Sequence, residues 1–499
     1  MSLRVRKKRN VSGSYSIHIV DRSNRGYKVI ESLGSSKDEK EIEVLYQKAL
    51  DKIDELEKNL LYFSKNNIKK EQIKKLLSNI TTQDFIPIGD ELIFGKLFKQ
   101  LGCDKIFKNI KYLRKRDEKD FLFRSLVISR LLYPGSKLEL IHYLDYFKSI
   151  EINEDKIYRF LDTLYQEKIK LSIEQCIFNH TKKIMDNTIK FTFYDVTTLY
   201  FESESEDDLR RIGFSKEGKL NRPQILLGLF TTLEGYPLSF EVYEGNKYEG
   251  HTLIDILKKF QKKFNIKNRP IVVADRGMLT DKNIAYLEEN GYKYILAYRI
   301  KNTTDALKEK IANLVFVNDG DIKSINISKD IKIDKNKSNK SKKENLQINQ
   351  RVIVTYSSSR AKKDKKTREK ALKKIEEKLG GKNITKSDLK LSYYAKYLDM
   401  DKSCDVKYKI NQDKVILDEK LDGIKAFVTN DFNLTPHDII SHYQNQYKVE
   451  EAFKISKTDL RIRPIYHRLE NRIKAHILIS FVAYAVYREF ERRLKKEEH

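Results

Sequence analysis

At 499 residues with 40% hydrophobic side chains, the chain can bury cores for about three or four domains, which excludes a wholly disordered protein. Lysine and arginine number 99 against 72 acids, and the net charge of +27 is spread along the whole length. Such an excess favours a polyanionic partner, DNA or RNA, over the plainer reading of a lysine-rich, AT-biased genome. The cysteines Cys103, Cys176 and Cys404 are isolated from one another. Neither a paired-cysteine zinc site nor a disulfide framework is expected, in keeping with a reducing cytoplasm. No apolar stretch follows the basic MSLRVRKKRN terminus, so it is not a secretory signal, and even Ala475 to Val486 is too short for a membrane span.

Residues 1–35 read as a small basic β element, with alternation over Ser14 to Val20 and glycines 26 and 34 as punctuation. A grip on a phosphate backbone and a solvated basic terminus both fit it. Residues 36–84 read as a helical linker, helical from Ser36 to about Leu61 and acidic early. Residues 85–187 carry apolar spacing of helical period in four runs, with a Pro134–Gly135 turn between two of them. This is either a DNA-binding helical domain or a bundle that supports the next domain.

From residue 188 the pattern changes. IKFTFYDVTTLYF predicts a strand holding Asp195; 223–232 and 236–244 predict a hairpin turning at Glu234–Gly235. An amphipathic helix over 251–264 comes next, then a buried strand over 269–275 ending in Asp275, a Thr-capped helix over 280–291 and a strand over 292–298. Strand, strand, strand, helix, strand, helix, strand is an order that resembles the ribonuclease-H-like α/β fold. The expected architecture is therefore such a core, 188–301 and 423–499, split by a large insertion over 302–422. The small β element and the helical domain precede it. Within the insertion lie a lysine-, serine- and asparagine-rich loop, a charged helix and the tyrosine-rich SDLKLSYYAKYLDMD. Residues 414–431 read as strands returning to the core. The closing segment is a long helix with Ile473, Ile477, Phe481 and Tyr484 on its buried face.

The stretch His442 to Leu460 stands out. On one helix, Tyr443, Tyr447, Glu450, Lys454 and Lys457 fall at i, i+4, i+7, i+11 and i+14, which places them on one face. A face with tyrosines at one end, a carboxylate in the middle and lysines at the other matches neither an apolar stripe nor an ordinary solvated face. Glu451 is rotated from that face by about 100°. The histidines show no metal-ligand spacing, and His467 reads as structural or DNA-contacting.

These residues resemble those of DDE transposases of bacterial insertion sequences, in the branch marked by the signature Y-x2-R-x3-E-x6-K. Here the four positions are Tyr443, Gln446, Glu450 and Lys457, with glutamine standing for the arginine. YDVTTLYFE around Asp195, VVADRGMLT around Asp275, GFSKEGKLNRPQILLGL, and LRIRPIYHRLENRIKAHILISF are similar to the family's other motifs. The resemblance runs from about 190 to 490.

The resemblance implies a metal-dependent enzyme that cleaves DNA and joins the freed 3′-hydroxyl ends to target DNA. It implies a homodimer in the synaptic complex on the element's inverted-repeat ends, without a membrane, in a cytoplasmic and nucleoid-associated setting. Asp195, Asp275 and Glu450 are the expected catalytic carboxylates and metal ligands, holding two Mg²⁺ per site with Mn²⁺ as a possible substitute. Hard oxygen donors suit such ions, which activate the attacking oxygen and neutralise the leaving one from about 3.5–4 Å apart. Tyr443, Gln446, Lys457, Arg276, Lys454, Arg461 and Arg463 are the expected DNA-binding residues, although Arg276 also fits a structural ion pair. In relatives an aromatic side chain of the insertion, often tryptophan, stacks on a base flipped from the transposon end. Tryptophan is absent, so Tyr393, Tyr394 and Tyr397 are the stacking candidates. A nuclease of the same fold that cuts without joining, and an inactive DNA-binding relic, are the alternatives.

Overall fold

The computed structural model describes residues 3–22, 27–61, 88–215, 218–219, 221–266, 268–335, 342–380, 395–401 and 407–497. The chain divides into two compact units, 1–85 and 86–499. In the first, β1 (Leu3–Arg9), β2 (Tyr15–Asp21) and β3 (Lys28–Ser36) form an antiparallel sheet in that order. Helix α1 (Glu39–Leu61) lays Ile42, Ala49 and Ile53 on Ile17 and Ile19 of β2. The helix starts later than its composition suggests because Ser36 still ends β3, where its hydroxyl accepts the Asp38 amide.

In the second unit, short helical turns over Glu91–Gly95, Lys96–Gln100 and Cys103–Lys105 lead into helices α2 (Arg116–Leu132), α3 (Lys137–Lys148), α4 (Glu154–Leu164) and α5 (Glu167–Ile184). An eight-stranded mixed sheet comes after them: β4 (Phe191–Tyr200), β5 (Gln224–Thr231), β6 (Pro237–Glu244), β7 (Ile271–Ala274), β8 (Tyr294–Tyr298), β9 (Ile322–Lys335), β10 (Lys342–Tyr356) and β13 (Ile424–Thr429). Its order is β6-β5-β4-β7-β8-β13-β10-β9, with β4, β7 and β8 parallel and the other pairings antiparallel. The first five strands in that order are consistent with a ribonuclease-H-like core. Helices α6 (Thr252–Phe264) and α7 (Asp281–Glu289) connect them, as crossover between parallel strands requires.

Residues alternate between two cores. Tyr194, Val196, Val272 and Ala274 pack with α6 and α7 on one face. Phe193, Leu199 and Val273 pack on the other with α2, α4, α5 and the C-terminal helices. Period two therefore sends Asp195 and Asp275, which share parity with Phe193 and Val273, to that second face.

Three expectations differ in detail. After α8 (Asp305–Ala312), part of the region expected as an insertion is core sheet: β9 and β10 extend the sheet through β10–β13 pairing. Beyond them come α9 (Ser358–Gly380) and the hairpin β11 (Leu398–Asp401) and β12 (Lys407–Ile410). The stretch from 414 is not all strand. Asn411 accepts the Lys414 amide and caps a helix, α10 (Gln412–Lys420), before β13 begins. The single helix expected around Glu450 is two, α11 (Pro436–Gln444) and α12 (Tyr447–Thr458). They part at Asn445–Gln446, where the Asn445 side chain donates to the Ser441 carbonyl. The last helix, α13 (Glu470–Glu497), is buried on every side from Ala475 to Val486, as a helix apolar all round must be. No helix among the described residues is long and apolar enough to cross a membrane.

Candidate active site

The site is built on two neighbouring strands. β4 and β7 run parallel with Tyr194 opposite Ala274, and the next residue of each chain is Asp195 and Asp275. Both carboxylates are half-buried at the sheet's centre, on the face that α12 covers. Asp195 turns one oxygen to the amide of Val196, at 2.7 Å. Two residues along β4, Thr197 accepts a hydrogen bond from the Lys457 ammonium at 2.7 Å, which ties the far end of α12 to the strand.

Tyr443 reports the convergence. Its hydroxyl lies 3.4 Å from Asp275 Oδ1 and its ring packs on Phe427, with centroids 4.5 Å apart. Burial pushes its phenol well above the usual range, and the negative charges of Asp275, Glu450 and Asp195 push it further. Carboxylates from two strands and a separate helix thus act on one hydroxyl. The break in the helix does not separate Tyr443 from Glu450.

The neighbouring glutamates differ in their surroundings. Glu450 is exposed, whereas Glu451 points back to Lys448 at 3.5 Å and Arg488 at 3.7 Å. Arg276, Lys454 and Arg461 are exposed, and among the described residues no ion pair involves their side chains. Arg463 is half-buried, its guanidinium 5.1 Å from the Tyr200 ring centre at the end of β4.

Two groups of candidates sit elsewhere than expected. Gln446 is only 6% exposed, and its side-chain oxygen has no hydrogen-bond partner among the described residues. As placed, it faces the interior and not a DNA surface. Tyr397 is 1% exposed and packs with Ala371, Ile375 and Val415, its hydroxyl donating to Asp418. Such a ring presents no free face for a base. Tyr393 and Tyr394 lie outside the described residues. Thr197 was missed by motif reading, although its position two residues from Asp195 on a strand puts it on the same face.

Donor chemistry and convergence suit a hard divalent cation, because the three candidates are carboxylates that arrive from separate elements. The cage is not closed: among the described residues no three acidic, histidine or cysteine side chains meet closely enough to hold an ion.

Residues 186–486 match the family model described as the transposase DDE domain. The chain belongs to that family. It is a transposase, an enzyme that acts on DNA, and its family uses divalent metals. No curated protein matches the sequence. Solved structures similar to this transposase include a piggyBac transposase synaptic complex with hairpin DNA, at 10% identity and a TM-score of 0.38, covering 84% of this chain and 78% of that one. A Mos1 transposase paired-end complex with the left transposon end matches at 9% identity and a TM-score of 0.16, over 47% of this chain and 69% of that one. A Mos1 mariner paired-end complex with Mn matches at 11% identity and a TM-score of 0.16, over 45% of this chain and 71% of that one.

Proposed function

We propose that this transposase cuts DNA at the inverted-repeat ends of a bacterial insertion sequence and joins the freed 3′-hydroxyls to target DNA. The observation that supports this most is the placing of Asp195 and Asp275 side by side on adjacent parallel strands, with the Tyr443 hydroxyl 3.4 Å from Asp275 and the charge of Glu450 acting on the same hydroxyl. In this reading Asp195, Asp275 and Glu450 would hold the magnesium ions, which would supply activation of the attacking oxygen and neutralisation of the leaving one.

The chain's own residues have the remaining tasks. Tyr443 keeps its proton, so it donates to a phosphate oxygen and is not a nucleophile. Lys457, held on Thr197, fixes a phosphate of the same strand. Arg276, Lys454, Arg461 and Arg463 neutralise the DNA backbone around the site. Tyr443, Glu450 and Lys457 keep the spacing of the branch signature, and Gln446 in the arginine position acts as a buried support. A homodimer bridging two ends, and a cytoplasmic, nucleoid-associated location, belong to the same reading.

The test is cleavage and joining of a labelled end-containing duplex with magnesium, comparing the wild type with Glu450→Gln. Loss of cleavage with binding retained is the expected result; equal cleavage by both proteins would sink the assignment. A nuclease that cuts without joining is the second reading. It is favoured by Gln446, which is buried and uncharged where the signature has arginine. Joining of a pre-cut 3′-hydroxyl end separates the two.

A further inference from the structure

Away from the carboxylates, a cavity of about 520 Å³ opens between the start of α3 and the segment 461–467. Its walls include Lys137, Arg461, Arg463 and His467. Lys137 is 6% exposed, and among the described residues it has neither a hydrogen-bond partner nor a carboxylate partner. Burial and the nearby Arg130 both hold its ammonium well below the ordinary lysine range. A buried ammonium without an opposing charge costs several kcal/mol unless something in the cavity answers it.

The surroundings add to this positive field. Arg130, itself buried, donates to the backbone carbonyls of Arg461 at 3.0 Å and Leu460 at 3.4 Å and meets His476 Nδ1 at 3.4 Å. His476 Nε2 donates to the Ile462 carbonyl at 2.9 Å, so Nδ1 is the acceptor for Arg130. Arg130 thereby fixes the segment that presents Arg461 and Arg463, while its charge meets no carboxylate in direct contact. The first turn of α3, a helix of 12 residues, opens on the same cavity. Its capping box engages the amides of Ser136 and Glu139, while those of Lys137 and Leu138 have no hydrogen bond among the described residues. Two carboxylates stand nearby, and both are engaged. Glu139 closes the capping box, and Asp162 accepts from Arg472 at 2.7 and 2.8 Å.

We propose that this cavity is a binding site for a phosphate group, with Lys137 as the buried cation at its floor and Arg461 and Arg463 at its mouth. Resting on the DNA-acting reading above, the phosphate is one of the DNA backbone. Arg463 stands beside Tyr200 at the end of β4, the strand that also carries Asp195.

The test uses the full chain. Thermal unfolding is compared in sodium phosphate and in sodium chloride at equal ionic strength, for wild type, Lys137→Met and Lys137→Gln. The expected result is a higher midpoint in phosphate for the wild type and no such gain for either variant. In chloride, Lys137→Met should be at least as stable as wild type, because an uncompensated buried charge has gone. A lysine that merely holds the fold would give the opposite: a lower midpoint and an unchanged phosphate gain. Equal phosphate gains in all three proteins overturn the proposal. With end-containing DNA, Lys137→Met should lower the salt slope of binding by about 1. An unchanged slope with the phosphate gain lost in the variant overturns the DNA source and leaves free phosphate as the ligand. Glu450→Gln should keep the full phosphate gain, so a failure of the catalytic assignment is seen separately.

Discussion

Glu241 and Lys137 are equally buried, each 6% exposed, and yet the fold treats them in opposite ways. Glu241 on β6 meets Lys170 at 3.1 Å, Lys259 at 3.2 Å and Lys263 at 2.7 Å. Burial works to raise its carboxyl, but the three ammonium groups overcome this and pull it down to about 2. Lys263 also reaches Glu174, at 2.8 Å, so the charges there close on themselves. Lys137 has no carboxylate in direct contact, and burial and Arg130 both act against its proton. The difference separates a charge that belongs to the fold from a charge that awaits a ligand. In the proposed reading the carboxylates whose charges act on Tyr443 fall on the second side.

The sharpest way to break this division is to remove a charge of each kind. Glu450→Gln, at an exposed position, should lower DNA cleavage about a thousandfold, since metal-assisted charge stabilisation is worth several kcal/mol. It should move the unfolding midpoint hardly at all. Glu241→Ala should do the reverse: it leaves the buried Lys170 without a carboxylate, while Lys259 and Lys263 keep Asp255 and Glu174, and should cost about 3 kcal/mol in urea unfolding. Cleavage per folded molecule should persist. If Glu450→Gln unfolds the protein, or Glu241→Ala is silent in urea, the division fails. Tyr443→Phe sharpens it further. The hydroxyl 3.4 Å from Asp275 is a donor in this account, so its loss should slow cleavage about tenfold, as one hydrogen bond near a charge is worth about 1.5 kcal/mol. Abolition of cleavage, with a protein–DNA adduct in the wild type, would instead make Tyr443 the nucleophile.

Much of this was legible in the sequence, for reasons that differ by residue. Asp195 and Asp275 could be read because each sits in a short apolar run whose period of two fixes both strand and face. Glu450 was preferred to Glu451 by the phase of a single helix; the structure breaks that helix, pairs Glu451 with Lys448 and Arg488 and leaves Glu450 exposed. The break at Asn445 was not legible, because it is marked by a local side-chain hydrogen bond to Ser441 that periodicity does not record. The same limit hid the interior position of Gln446 and the burial of Tyr397. Both arise from packing between elements distant in sequence. The joining of β9 and β10 to the core sheet was hidden by the polar composition of those strands, which reads as an excursion. In the sequence Lys137 is one basic residue among many on the helices of 85–187. Its isolation depends on Arg130, the 461–467 segment and α13 meeting there.

The smallest expected effect lies in pH. His467, in the Lys137 cavity, is held down to about 4 by burial first, then by Lys137, Arg472 and Arg130, with Asp162 opposing. His476 packs beside it, with ring centres 5.6 Å apart. A histidine whose folded pKa is depressed is neutral in the fold while the unfolded chain, near pKa 6.5, already takes up a proton. The unfolded state then binds more protons between about pH 6.5 and 4, so stability must fall as pH falls through that window. Glu241 behaves likewise in a lower window, from about 4.3 down to 2, because its folded pKa is also depressed. The two windows can be separated by urea midpoints measured in chloride from pH 7 to pH 3. Lys137→Met removes the largest cation acting on His467 and should flatten the decline in this range, while the loss below pH 4 stays. Phosphate should flatten the wild-type decline in the same way, since an anion in the cavity favours the protonated ring. A decline equally steep in wild type and Lys137→Met, with and without phosphate, would mean that Lys137 does not set the field in the cavity. The contrast with Glu241 would then rest on burial alone.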